Sequence, residues 1–472
     1  MSKLDYIHFV GIKGVGMAPL AIIAKEAGMR VSGSDIKDKF ITDELLSMAG
    51  IKPDVGFSKT HIKSPNLVVT TGAHGGFENI EVIEAKKKKI KVIAQGEAVG
   101  LFMDGGIFGK KFIGISVTGT HGKTTTTAMI ATILRENSLD PSFLVGTGFI
   151  PSLGTSGHFG SGKYFVSEAD EYMTEPRYDK TIKFMWQNPK VAVITNIEFD
   201  HPDAYKTIED VRIACEKFAQ KLGSNGTLVT SKDSPQVNIL LKSYAGKVFT
   251  YGVSPENDFV VKNIKFREGK TSFQIDSFGK KTSLKLNVFG QHNAINAAGS
   301  FVVGLTLGLS PFNIKKGLLA FRGTKRRSEF VGILKSGAKL FDDYAHHPTE
   351  IRSTLRAFRQ NFPKSKIVCI FQPHTYSRTK SLFDQFSKSF IDVDDLILTN
   401  IFSSLREKKD PSVSSELLAK ETAKFTKNVV HFLPELSSVV EYINEQEYGK
   451  DTIVITMGAG DVYKINEKLK LR

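Results

Sequence analysis

The stretch Gly119-Thr120-His121-Gly122-Lys123-Thr124-Thr125 holds the residue types that cradle a nucleoside triphosphate. It follows the apolar run Phe112-Ile113-Gly114-Ile115-Ser116-Val117 and leads into Thr126-Thr127-Ala128-Met129-Ile130-Ala131, so a strand, a glycine-bracketed turn and a helix are expected in succession. Such a turn aims backbone N–H groups and the positive end of the helix at an anion. Lys123 adds a point charge, and the Thr124 hydroxyl can ligate Mg²⁺. The general phosphate-loop word has a glycine where Val117 stands, so the glycine bracket here is shorter on its N-terminal side.

Two more strand-like runs end in polar clusters. Tyr164-Phe165-Val166-Ser167 runs into Glu168-Ala169-Asp170-Glu171, and Val191-Ala192-Val193-Ile194-Thr195 into Asn196-Ile197-Glu198-Phe199-Asp200-His201. Strand-end carboxylates beside a phosphate loop suit Mg²⁺, a hard cation that takes few protein oxygens and keeps its waters. In an open α/β sheet all these tips fall on the carboxyl edge, where ligands bind. Asn293 and Asn296, three apart at the start of a helical run, share one face, either as an N-cap and polar surface or as a ligand-reading pair.

Near the N-terminus Gly11-Ile12-Lys13-Gly14-Val15-Gly16-Met17 joins a strand to a helix, and Val31-Ser32-Gly33-Ser34-Asp35 ends the next strand. That is a Rossmann-like arrangement, with glycines for close backbone approach and Asp35 about 20 residues on for a ribose or base. The glycine order is G-x-x-G-x-G rather than the dinucleotide order.

The elements that must position these groups alternate between strand-like and helix-like runs along almost the whole chain. This predicts α/β layers with mainly parallel sheets. At 472 residues the chain has room for roughly two to four domains. Three blocks are expected: a Rossmann-like domain over 1–105, a central P-loop ATPase-type domain over 106–324 with short β-like runs between 258 and 289, and a C-terminal Rossmann-like α/β domain over 325–472.

Composition narrows the partners. Sixty-four basic residues against 49 acidic give a net charge of +15, compatible with a polyanionic substrate. The dense basic run Lys86-Lys87-Lys88-Lys89 sits between a helix-like and a strand-like segment and reads as a solvated helix end, and aromatic residues are not interleaved with basic ones, so nucleic acid is not expected. No apolar run reaches membrane-spanning length, which argues against insertion. Two cysteines, Cys215 and Cys369, and no signal peptide point to a reducing cytoplasm.

Six separate words, spread over essentially the full chain, resemble the Mur ligase family, the ATP-dependent amide-forming enzymes of peptidoglycan synthesis. They are the phosphate loop, Asn196-Ile197-Glu198-Phe199-Asp200-His201, Gly290-Gln291-His292-Asn293 with Asn296, Gly323-Thr324-Lys325-Arg326-Arg327-Ser328-Glu329, Asp342-Asp343-Tyr344-Ala345-His346-His347-Pro348-Thr349-Glu350, and Gln372-Pro373-His374-Thr375-Tyr376-Ser377-Arg378. Ile401-Phe402-Ser403-Ser404-Leu405-Arg406-Glu407 is a looser match, and Asn79-Ile80-Glu81 stands where the family has Asn-Pro-Glu.

The resemblance implies ATP held by Gly119, Thr120, His121, Gly122, Lys123, Thr124, Thr125, Asn293, Asn296, Arg327 and Asp343. It implies Mg²⁺ held by Thr124, Glu168 and His201. Catalytic roles fall to Lys123, Glu168, His201, His347 and Arg378. Gly11, Gly14, Gly16, Met17, Ser34 and Asp35 would bind the sugar nucleotide, UDP-N-acetylmuramic acid. Tyr344, His374 and Arg378 would serve the substrate side of the third domain, as binders of an amino acid or the transferring phosphate. The third block resembles the branch of the family that adds L-alanine, whereas the segment 172–190 is longer than usual there and resembles the branch that re-attaches a murein tripeptide. A nucleotide-gated binding protein without ligase chemistry is the remaining alternative. A monomer or homodimer in the cytoplasm is expected.

Overall fold

The computed structural model describes residues 5–403, 407–426 and 428–472; Arg406 of the 401–407 word lies outside the described residues. Three sheets follow one another along the chain. The first has five parallel strands, in spatial order Asp54–Val55, Arg30–Asp35, Tyr6–Val10, Leu67–Thr70 and Lys91–Ala94. Every residue of Tyr6–Val10 is buried, as a central parallel strand covered on both faces requires. Val10 stands beside both Ser34 and Thr70, so the turn that follows it shares an edge with Thr71 and its neighbours.

The central sheet has ten strands. Its register decides the site: Val117 lies level with Glu168 on one side and Val193 on the other, and Thr118 with Ile194. The three chains therefore leave the sheet together, and the loop at 119–122, the carboxylates after Ser167 and the segment from Thr195 to His201 emerge side by side. The helix Lys123–Glu136 then runs back along the sheet against Gln291–Thr306 and Pro311–Ala320. A Cβ on Gly317 would fall 2.4 Å from Ile133 Cα, so these helices meet backbone to backbone. The short β-like runs expected between 258 and 289 form an antiparallel extension, Phe259–Arg267, Lys270–Ser277 and Lys280–Leu286.

The third sheet is ordered Glu329–Ile333, Lys339–Asp343, Thr452–Met457, Lys366–Phe371, Asp395–Leu398 and Val429–Phe432, parallel except for its first strand. Asp343 and Phe371 both lie level with Met457, so residues 344–347, 372–378 and 458–461 share the carboxyl edge.

The segment 172–190 folds as a hairpin, Met173–Glu175 with Asp179–Ile182, and a 3₁₀ turn, Lys183–Trp186. Its tip rests on the first domain, where Arg177 meets Glu78 at 2.7 Å and the Tyr178 hydroxyl donates to the same carboxylate. The lysine run is the end of the helix Ile80–Lys87, as its flanks predict. Among the described residues no helix is long and apolar enough to cross a membrane. Cys215 and Cys369 are buried free thiols.

Candidate active site

Gly119 and Gly122 are glycines for a steric reason. Both have positive φ, +117° and +83°, and a Cβ would fall 2.3 Å from Thr195 Oγ1 at the first and 2.5 Å from Asn296 Oδ1 at the second. Asn196 clasps the loop between them, accepting from His121 N–H and donating to His121 O, each at 3.0 Å. Lys123 Nζ folds back onto the loop, donating to Gly119 O at 2.7 Å and Thr120 O at 3.0 Å, and lies 3.0 Å from the Glu171 carboxylate. Burial opposes its charge, but Glu171, Asp170 and Glu168 outweigh that and raise its pKa, so it stays an ammonium.

Thr124 Oγ1 sits 3.2 Å from Glu168 Oε2, while Glu168 Oε1 accepts the Gly146 N–H at 2.6 Å. Burial pushes the Glu168 carboxyl pKa up, against the pull of Gly146, Lys123, Arg327 and Thr124. A hydroxyl and a desolvated carboxylate this close are a donor set that fits Mg²⁺, whose charge would relieve that burial. Arg327 reaches across from the third domain to within 3.4 Å of Thr124 Oγ1.

His201 adopts φ of +55° at the end of its loop, with Nε2 at 3.5 Å from Glu171 Oε1 and 3.7 Å from Asp200 Oδ2. Glu171, outside the expected set, thus joins Lys123 to His201. These groups open on one cavity of about 480 Å³ whose wall includes Gly14 and Gly16 from the first domain, Lys123, Glu168 and His201 from the second, and Tyr344 and His346 from the third.

A second cavity of about 380 Å³ lies on the other side of the loop, lined by Gly122, Thr125, Asn293, Asn296, Arg327 and Asp343. Asn293 is not the helix cap, which is Gly290; its Nδ2 donates to Phe289 O at 2.7 Å. Asp343 is held by Ser328 N–H at 2.7 Å and Ala345 N–H at 2.8 Å, yet burial pushes its carboxyl up to about 6. His121 lies between Glu350 and Glu198, at 3.3 and 3.4 Å. Burial works against the imidazolium, but the two carboxylates push its pKa up to about 9.

Three family models match in sequence: the Mur ligase family catalytic domain over residues 6–106, the Mur ligase middle domain over 117–304, and the Mur ligase glutamate ligase domain over 326–460. The UDP-N-acetylmuramate--L-alanine ligase of Acetivibrio thermocellus is 40% identical over 471 residues, covering 99% of this chain and 96% of that one. The chain belongs to the Mur ligase family.

The crystal structure of the UDP-N-acetylmuramate-alanine ligase from Thermotoga maritima superposes with a TM-score of 0.80 at 26% identity, covering 98% of this chain and 97% of that chain. A murein peptide ligase from Psychrobacter arcticus shares the fold, with a TM-score of 0.71 at 24% identity over 98% of this chain.

Within this Mur ligase several residues stand differently from expectation. Ser34 and Asp35 lie beneath the first-domain turn, not on the cavity wall. Asp35 Oδ2 accepts Lys13 N–H and Oδ1 accepts Ile36 N–H, both at 2.8 Å, and Ser34 Oγ donates to Glu81, so their polarity is spent shaping the turn that presents Gly14, Gly16 and Met17. His347 is 2% exposed and caps the helix Pro348–Asn361; its neighbour His346 lines the cavity instead. His374 and Arg378 also sit behind the wall. Arg378 Nε donates to Asp200 Oδ1 at 2.7 Å and a terminal nitrogen meets His374 Nδ1 at 3.0 Å.

Of the paired arginines, Arg326 is structural, bonded to Asp342 at 2.9 Å and Gly458 O at 2.6 Å, whereas Arg327 faces the phosphate loop. Sequence reasoning missed Glu171, Asn196 and Glu350. All three lie inside motifs already singled out; Glu350 closes the 342–350 word, three residues after the His346-His347 pair, at the start of its helix.

Proposed function

We propose that this chain is an ATP-dependent ligase joining the amine of L-alanine to the lactyl carboxylate of UDP-N-acetylmuramic acid. One observation carries the reading: a single cavity takes a glycine turn from the first domain, the phosphate loop from the second and a polar edge from the third. Three ligands can meet there. The substrate carboxylate takes the γ-phosphoryl group of ATP to give an acyl phosphate and ADP, and the amine then displaces phosphate, losing a proton. Bound Mg²⁺, held by Thr124 and Glu168 with His201 nearby, would neutralise the charge of the phosphate oxygens.

The protein's share is positioning and charge. Lys123 and the backbone of the loop hold the β- and γ-phosphates, Arg327 adds a guanidinium that can meet phosphate oxygens as a fork, and Glu171 keeps Lys123 in place until nucleotide draws it forward. Asn293, Asn296 and Asp343 face the nucleoside from the second cavity. Enclosure between three domains excludes water, which would otherwise hydrolyse the acyl phosphate. We place the protein in the cytoplasm, as a monomer or homodimer.

A second reading has one observation in its favour. The hairpin at 173–182 puts Met173, Thr174 and Pro176 on the cavity wall, extra surface that a murein tripeptide could use in place of L-alanine. Sustained release of ADP from ATP should require both the sugar nucleotide and an amine. Sustained release with neither would show a nucleotidase, and no release with both a binding protein, instead of a ligase.

A further inference from the structure

A cluster of metal-ligating side chains stands apart from the oxygen donors at Thr124 and Glu168. His121 Nε2 lies 3.4 Å from Glu198 Oε2, His347 Nδ1 lies 3.9 Å from the same oxygen, and the three ligand atoms all fall within 4.8 Å of one another. Ligands bound at about 2.0–2.2 Å around a tetrahedral ion sit roughly 3.3–3.6 Å apart, so the His121–Glu198 separation already suits an ion and His347 would have to draw in toward it.

The outer contacts orient the same atoms. His121 Nδ1 faces Glu350 Oε1 at 3.3 Å, and His347 Nε2 lies 3.2 Å from Phe199 O. Once the ion displaces the second proton that the two carboxylates hold on His121, a ring N–H turned to a carboxylate or carbonyl leaves the lone pair on the opposite nitrogen, which in both rings is the one facing Glu198. Neither nitrogen of His121 makes an aligned hydrogen bond among the described residues, although both are buried. Two contacts compete with a cation: the Thr349 N–H at 3.3 Å from His347 Nδ1, a long bond, and the Thr349 hydroxyl at 2.7 Å from Glu198, a rotor that can turn away.

We propose that His121, Glu198 and His347 form a binding site for a borderline-soft divalent cation, Zn²⁺ in chemical type, with its fourth position open to the nucleoside cavity. Two imidazoles and one carboxylate prefer such an ion to Mg²⁺, which favours all-oxygen sites. His121 and Glu198 belong to the central domain and His347 to the third, so the ion ties one to the other across the wall of the 380 Å³ cavity. Slower turnover with Zn²⁺ bound follows; that consequence, unlike the binding, rests on the ligase reading.

The test is calorimetric titration of Zn²⁺ into the chelator-treated full-length chain, without nucleotide and with excess Mg²⁺ to occupy the oxygen site. One equivalent should bind, at least about tenfold more weakly in Glu198→Gln and in His347→Ala, and unchanged in His201→Ala. Co²⁺ added to the unsubstituted protein should give the intense visible absorption of a tetrahedral ion, a readout that does not depend on a variant folding. No binding above that of Mg²⁺, octahedral Co²⁺, or loss of the Zn²⁺ equivalent in His201→Ala alone would overturn the assignment.

Discussion

Arg378 Nε donates to Asp200 Oδ1 at 2.7 Å, an ion pair that crosses from the third domain to the central one with both side chains about 95% buried, 5% and 6% exposed. The pair holds the Asp200 carboxyl well below its usual range despite burial, and Asp200 adjoins His201 in the chain. A guanidinium held this way is a positioning group: it ties the third domain to the central one beside the His201 loop.

Removing one partner of a buried pair costs about 3–5 kcal/mol, because the other charge is left uncompensated. Asp200→Asn and Arg378→Met should therefore each lower thermal stability and slow turnover, while the two combined should lose less than the sum of the single changes. Calorimetry on the four proteins gives the coupling directly. Full additivity would mean that the pair carries no interdomain energy.

Lys123→Ala should leave the far-ultraviolet circular dichroism unchanged and reduce turnover on the order of 10²–10³, the usual effect of losing one preorganised donor to a developing charge. Near-normal turnover in the folded variant would move the phosphate site elsewhere.

Gly14→Leu addresses the first domain. A Cβ at Gly14 makes only ordinary contacts, with Gly11 O at 3.5 Å and Met17 Cγ at 3.6 Å, so the turn tolerates it, but the rest of a leucine reaches into the cavity. KM for the sugar nucleotide should rise by about tenfold or more, equivalent to 1.4 kcal/mol, with ATP affinity unchanged. Loss of ATP binding alone would reverse the assignment of the two turns.

Asp343 gives a pH signature. Its pKa is raised to about 6 by burial, so the carboxylate, which we propose accepts ribose hydroxyls, is present above that pH and is lost as pH falls through it. Adenosine, which carries no titrating phosphate, should bind more weakly on going from pH 7 to 5 in the unsubstituted protein. In Asp343→Asn it should bind weakly throughout, with a flat profile. A slope that survives the substitution would assign the titration to another group.

The fold was legible because its signals are local. Buried parallel strands such as Val191–Ile194 are continuous apolar runs, and glycines at 119 and 122 mark a turn that only glycine can make. What escaped was which polar residue serves the ligand and which serves the scaffold. Asp35 and Arg378 carry the right chemistry at strand ends, but a strand-end carboxylate can cap its own turn, and a guanidinium can find a partner 178 positions away. Glu171 became visible only when the register put residues 168–171 and 195–201 on adjacent tips. His347 caps its own helix through the nearby Thr349 N–H and meets Phe199 O across the domain seam, while His346, one position earlier, faces the cavity.

The amine decides the account most directly. With UDP-N-acetylmuramic acid, ATP and Mg²⁺ fixed, kcat/KM for L-alanine and for L-Ala-γ-D-Glu-meso-diaminopimelate should be measured side by side, with the amide product identified by mass. The account expects L-alanine to be used at least tenfold better, about 1.4 kcal/mol in transition-state binding. Preference for the tripeptide would contradict it and assign the hairpin at 173–182 to a longer peptide.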